Sequence, residues 1–135
     1  MNNNDSQQNL SWTYRQKILD YIHWTYKDRY YKIMSHFINK KLTGSEFENQ
    51  FCTLYQSVEK EGEKILTDTK KIEFLKLNKK SDNFRAGLYD IFLDLDIFLD
   101  EQNLDSKQKI GSYNKDTAQL RQLVQEVMED FKSYE

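Results

Sequence analysis

The sequence predicts an all-α protein, an antiparallel helical bundle of four to five helices with short connections. Its 135 residues include no proline and only four glycines, the two residue types that chains with many tight turns use most. Apolar side chains recur along most of the chain at the 3.6-residue period of a helix, and no segment shows the alternation of a strand. A chain of this length buries roughly two-thirds of the surface that its unfolded form exposes, which is enough for one domain with a core.

Composition also predicts the nature of the core and the domain boundaries. Aromatic residues make up 14% of the chain, against an apolar fraction of 38%, so we expect much of the core to be aromatic. Residues 1–9 are polar and predict a disordered tail, which is followed by a single domain over residues 10–135. The single cysteine, Cys52, allows no internal disulfide and fits a cytoplasmic protein. We expect no cofactor, no metal and no membrane span.

Residues 12–41 are predicted to be helical throughout, with a kink or short turn near residues 25–28. Nothing inside the segment breaks a helix, but it is longer than most globular helices. Its predicted core stripe consists of Trp12, Ile18, Leu19, Ile22, Tyr26, Tyr30, Ile33, Met34 and Phe37. The aromatic residues outside this stripe include Tyr14, Tyr21, Trp24 and Tyr31. Some of this aromatic surface should contact another helix or another chain.

The next boundary is predicted at Gly44, a natural helix terminator. Ser45, with Glu48 three positions further on, predicts a capping box for a second helix over residues 46–61 or 46–66. The apolar stripe of that helix is Phe47, Phe51, Leu54, Val58 and Ile65.

Residues 67–81 fit no single apolar stripe and predict a connection with partial helix. Ser81 or Asp82 is the predicted cap of the helix that follows, and Asn114 or Asp116 that of the last helix, after a loop. The last helix has a stripe of Leu120, Leu123, Val124, Val127, Met128 and Phe131.

The most informative segment is residues 84–105, which is both the most apolar and the most acidic part of the chain. Residues 82–105 hold seven acidic residues against one arginine. If residues 88–101 are helical, six apolar residues fall within an arc of about 120° and form a core face; they are Leu88, Ile91, Phe92, Leu95, Phe98 and Leu99. The remaining surface carries carboxylates around Tyr89, Leu93 and Ile97, as in a helix that serves a core on one side and a basic partner on the other.

Motifs for chemistry are sparse. The Asp94-Leu-Asp96 pair resembles the Asp-x-Asp motif of phosphotransferases, but it lies inside a helical pattern and not at the end of a strand. An EF-hand calcium loop is also excluded, because the glycine that such a loop needs at its sixth position is missing. His23 and His36 are too far apart for a metal pair, and each is interpreted as an edge-of-core residue. Arg29 and His36 share a helix face, in a spacing similar to that of helical HEPN-type ribonucleases, which leaves a ribonuclease open as a less favoured alternative.

Two motifs resemble the colicin-like immunity family of small helical bundles. The first is Phe37-Ile38-x-x-x-Leu42-Thr43-Gly44-Ser45-Glu46-Phe47-x-x-x-Phe51, a helix, a short turn and a small residue followed by Glu-Phe. The second is Leu88-Tyr89-x-Ile91-Phe92-x-x-Leu95-Asp96-x-Phe98. The resemblance covers about residues 30–131. Residues 10–28 extend beyond the expected family pattern, and this chain has Asn39-Lys40-Lys41 where the family usually carries a glycine before the turn.

This resemblance implies a non-catalytic protein that masks the basic active site of a toxin nuclease, such as one that cleaves tRNA. The partner would be the cognate toxin domain or another protein, with no direct contact to nucleic acid or membrane. The alternative is a small structural subunit or assembly factor of a larger complex. The predicted partner-binding residues are the carboxylates Asp90, Asp94, Asp96, Asp100 and Glu101 and the apolar anchors Tyr89, Leu93 and Ile97.

Overall fold

The computed structural model describes residues 12–67, 81, 83–99 and 115–133, and these contain five helices. They are α1 (Trp12–Thr25), α2 (Lys27–Ile38), α3 (Gly44–Leu66), α4 (Phe84–Asp96) and α5 (Thr117–Ser133). The described residues contain no named strand, so the prediction of an all-α bundle is confirmed. The predicted tail over residues 1–9 and most of the predicted connection over residues 67–81 lie outside the described residues.

The helices pack in a closed cycle around one core. Helix α1 contacts α3 and α4, helix α5 contacts α4 and α2, and α2 contacts α3, which completes the cycle. None of the helices in the described part of the chain is long and apolar enough to cross a membrane.

The predicted kink in the first helical segment is a full break at Tyr26, which separates α1 from α2. The Thr25 hydroxyl donates to the Ile22 carbonyl oxygen at 2.6 Å, and the Tyr26 amide donates to the His23 carbonyl oxygen at 3.0 Å. These bonds use carbonyl groups that a continuing helix would pair with amides further along the chain. The break lets α2 contact α5 while α1 contacts α4.

The predicted start of α3 needs a correction. Thr43, and not Ser45, is the cap: its hydroxyl accepts from the Glu46 amide at 3.1 Å, and the Glu46 carboxylate accepts from the Thr43 amide at 2.9 Å. Gly44 is therefore the first residue of α3 and does not terminate the preceding helix. A Cβ atom on Gly44 would lie 2.4 Å from Cζ of Phe98, so this position has no room for a larger residue.

Helix α4 is shorter than predicted. It ends at Asp96, and not at residue 101, because Phe98 turns inward against Gly44 and its backbone segment pairs with Lys115. The Lys115 amide donates to the Ile97 carbonyl oxygen, and the Leu99 amide donates to the Lys115 carbonyl oxygen, each at 3.0 Å. The predicted cap, Ser81 or Asp82, is also wrong. Asn83 is the residue that precedes α4, and its side chain makes no cap hydrogen bond.

Helix α5 begins as predicted. Asp116 caps it, since its carboxylate accepts from the Gln119 amide at 2.8 Å and its own amide donates to the Gln119 side chain at 3.0 Å. The predicted stripe packs inward, with Leu120, Val124, Val127 and Phe131 buried.

Aromatic residues account for nine of the 22 buried hydrophobic residues in the described part of the chain, as the composition predicts for much of the core. Phe37 stacks on Phe47 with ring centroids 4.3 Å apart, and the rings of Phe84 and Phe131 are 4.4 Å apart. Trp24, outside the predicted stripe, is buried and meets Phe84 edge-on. Trp12 is wrongly predicted to belong to the core stripe of residues 12–41. It is the first residue of α1, and it is 74% exposed.

Candidate functional site

Helix α4 presents two different faces, as its sequence predicts. Leu88, Ile91 and Leu95 are buried in the core. The other side carries the exposed apolar residues Tyr89 and Leu93, and exposed Ile97 lies in the turn that follows the helix. Among the described residues, only five large hydrophobic side chains are exposed, and these three are 49%, 45% and 37% exposed.

Three carboxylates surround these apolar side chains. Asp90 and Asp96 are exposed and Asp94 is partly buried. Within the described residues, no lysine, arginine or histidine forms an ion pair with any of the three. We call Tyr89, Asp90, Leu93, Asp94, Asp96 and Ile97 the acidic face.

The remaining two predicted contact residues, Asp100 and Glu101, lie outside the described residues. The prediction placed them on the same helix as Asp90 and Asp94, over residues 88–101. Helix α4 itself ends at Asp96, five residues before the predicted end at residue 101. The geometry of the acidic face therefore rests on the six residues that are described.

The only cation in α4, Arg85, is already bound by other residues. Its Nη2 donates to Oε1 of Glu59 at 2.8 Å and its Nε donates to the same oxygen at 3.2 Å. Its Nη1 donates to Gln16 and lies 3.7 Å from a carboxylate oxygen of Asp20. Arg85 thus ties α4 to α1 and α3, and it does not pair with the carboxylates of the acidic face.

Behind Arg85 lies a buried histidine that the sequence does not reveal. His23 is fully buried, with Nδ1 2.8 Å from the Tyr30 hydroxyl and the ring 4.8 Å from the ring of Tyr55. Its Nε2 is 3.4 Å from Oε1 of Glu59 and has no hydrogen-bond partner among the described residues. The prediction of an edge-of-core residue is therefore wrong for His23, which is part of a polar network inside the bundle.

Burial sets the charge states in this network. Burial lowers the pKa of His23 below its usual 6.5 and outweighs the neighbouring Glu59, so the imidazole is neutral near pH 7. Burial raises the pKa of Tyr30, so its hydroxyl stays protonated in its hydrogen bond with Nδ1 of His23. Burial alone would raise the pKa of Glu59, but the neighbouring His23 ring and the paired Arg85 guanidinium lower it to about 2. The ionised pair is thus Glu59 and Arg85, and it positions Arg85 beside Tyr89.

Among the described residues, the fold adds no further groups to the alternative sites that the sequence suggested. Arg29 and His36 both lie on α2, and the Arg29 guanidinium lies over the ring of Tyr26, 5.8 Å from its centroid. Asp94 and Asp96 lie inside α4, as expected, and not after a strand. Cys52 is half-buried, and burial raises the pKa of its thiol. In the described part of the chain, no three His, Cys, Asp or Glu residues are placed to hold a metal ion.

Comparison with protein-family models, with curated proteins and with solved structures finds no match for this chain.

Proposed function

We propose that this chain is a non-catalytic binding protein that docks its acidic face on a basic protein, and that this partner is a toxin nuclease whose active site it masks. One observation carries the proposal: of the five large hydrophobic residues that are exposed in the described part of the chain, three lie among three carboxylates that no described cation pairs with. The resemblance to colicin-like immunity proteins is the reason for proposing a nuclease as the partner. In its most specific form, the proposal is that this nuclease cleaves tRNA.

The two kinds of residue contribute differently to such an interface. Tyr89, Leu93 and Ile97 can lose water on contact and act as anchors, which are the residues that dominate binding energy in most interfaces. Asp90, Asp94 and Asp96 would pair with lysines and arginines of a phosphate-binding cleft, which speeds encounter and selects against partners that are not basic. A nuclease needs such a cleft to bind its polyanionic substrate.

The same charges disfavour a second copy of the chain as the partner. A two-fold symmetric contact places the same surface patch on both subunits. The carboxylates of the acidic face would then oppose each other, and like charges at an interface cost binding energy.

The test begins with a cross-link from the centre of the acidic face. A photoreactive benzoylphenylalanine at position 93, where the side chain is 45% exposed, should cross-link one protein in cells of the source organism. That protein should then be purified and its cleavage of tRNA measured with and without this chain. We expect a basic nuclease that is inhibited at a one-to-one ratio.

The decisive variant replaces Asp90, Asp94 and Asp96 together by Asn. We expect inhibition to weaken by about a hundredfold, with unchanged helicity and melting temperature, because these side chains make no ion pair within the described fold. A matched control replaces Asp28, Glu126 and Glu129, all exposed on α2 and α5, by the corresponding amides. Undiminished inhibition by the first variant contradicts the proposal, as does a cross-linked partner that is a subunit of a large assembly with no nuclease activity.

A further inference from the structure

Beside the acidic face, a cleft of about 330 Å³ separates the start of α1 from α4. Trp12 and Tyr89 lie on it and are 74% and 49% exposed, an unusual amount of aromatic surface to leave in water. The cleft is lined by Trp12, Gln16, Tyr55, Arg85, Ala86 and Tyr89.

The charges around the cleft decide what it can hold. Arg85 contributes the only cation to the lining, and it is already paired with Glu59 and lies 3.7 Å from Asp20. An anion entering the cleft would have to compete with these carboxylates, and a cation would meet the guanidinium group. A neutral aromatic ring avoids both costs, because it can stack on tyrosine and tryptophan rings and on the flat face of a guanidinium.

The cleft is also continuous with the acidic face, since Tyr89 belongs to both. Truncating a tryptophan or tyrosine of this kind is among the costliest changes in protein interfaces. We propose that the protein that docks on the acidic face inserts an aromatic side chain into this cleft, between Trp12 and Tyr89. The identity of that protein rests on the proposed function, whereas the preference of the cleft for an aromatic ring does not.

The preference can be measured without the partner. N-acetyltryptophanamide is titrated into the full chain labelled with nitrogen-15, and the indole N–H signal of Trp12 is followed by NMR. We expect a saturable shift of this signal, with dissociation constants in the range of about 1 to 10 mM, and no saturable shift with N-acetylargininamide. No saturable shift, or equal shifts with both probes, overturns the proposal.

Trp12→Ala tests whether the partner uses the cleft. Because the side chain is exposed, the variant should fold normally, and we expect it to weaken binding of the cross-linked nuclease by about tenfold or more. Tyr14→Ala is the matched control, an exposed aromatic residue on α1 that does not line the cleft. Equal losses in the two variants, or no loss in either, contradict the proposal.

The two proposals fail in distinguishable ways. If the cross-link finds no basic nuclease but the tryptophan probe binds, the function is wrong and the cleft remains an aromatic site. If the nuclease binds wild type and Trp12→Ala equally, the cleft inference alone is wrong. The cleft inference is also wrong if the tryptophan probe binds only after residues 1–11 are removed, because that result would mean that the chain itself fills the cleft.

Discussion

At the scale of single residues, the buried histidine links the polar network to pH. His23 is uncharged near neutral pH, and its ring is hydrogen-bonded to the Tyr30 hydroxyl while the ionised Glu59 carboxylate lies 3.4 Å from Nε2. Protonating the imidazole would put a cation in a fully buried position. The neutral form is therefore the one that the folded bundle selects.

We predict that the protein loses stability as the pH falls below about 6.5. The unfolded chain binds a proton at His23 near this ordinary pKa, whereas the folded chain, with a lowered pKa, does not. The unfolded state then binds more protons, so the free energy of unfolding decreases on acidification. Glu59 adds a second loss below pH 4.5, worth about 3 kcal/mol when complete near pH 2, because its folded pKa is about 2.

Urea unfolding between about pH 7.5 and 5 measures the first effect. His23→Gln should be less stable than wild type but should lose most of the pH dependence in this range. His36→Gln is the matched control and should keep it. A wild-type protein whose unfolding free energy is constant from pH 7.5 to 5 would show that His23 has no such role.

At the scale of elements, the helices follow from periodicity, but their ends depend on tertiary contacts. Two overlapping capping boxes are present in the sequence, Thr43 with Glu46 and Ser45 with Glu48, and the fold uses the first. Ile97, Phe98 and Leu99 continue the apolar pattern of α4, yet the helix ends before them because Phe98 packs on Gly44. No local pattern reveals that contact, since 54 residues separate its two partners.

The junction between α4 and α5 gives a second prediction, at Gly87. A Cβ atom here would lie 2.8 Å from Cε1 of Phe131 and 3.0 Å from Cγ1 of Val127. The buried Phe131 ring packs against the ring of Phe84, with centroids 4.4 Å apart, and cannot withdraw easily. We expect Gly87→Ala to lower the free energy of unfolding by about 1–2 kcal/mol, despite the better helix propensity of alanine.

Gly62→Ala is the matched control within α3. The added Cβ atom would approach only the end of the Leu19 side chain, at 2.6 Å, and a leucine terminus can change rotamer. The free-energy cost of moving the Leu19 side chain should offset the gain of about 1 kcal/mol in helix propensity, so we expect the stability of Gly62→Ala to be nearly unchanged. Urea unfolding of both variants measures the difference, and equal effects would mean that α4 and α5 separate more easily than their packing indicates.

At the scale of the whole molecule, the sequence predicts features that follow from helical periodicity. It does not predict contacts between residues that are far apart along the chain. The outward position of Tyr89, Leu93 and Asp90 follows from a helical projection of one segment. The network around Arg85 does not, because Gln16 is 69 residues away and Glu59 is 26 residues away along the chain. Only the closed cycle of helices brings α1, α3 and α4 together at this point.

The acidic face combines apolar and charged side chains, which have opposite effects on self-association. Tyr89, Leu93 and Ile97 form an exposed apolar surface of the kind that drives self-association. The carboxylates between them oppose it, because two such faces in contact would bring like charges together. The proposed partner, being basic, turns the same carboxylates into attractive contacts.

We therefore predict that replacing Asp90, Asp94 and Asp96 together by Asn makes the chain self-associate at about 100 μM, whereas wild type sediments as a monomer. Lowering the ionic strength should strengthen the monomeric state of wild type, because charge repulsion is then less screened. Sedimentation equilibrium measures both effects. The control with amides at Asp28, Glu126 and Glu129 changes the net charge equally and should remain monomeric, so association of both variants would trace the effect to net charge and not to the acidic face.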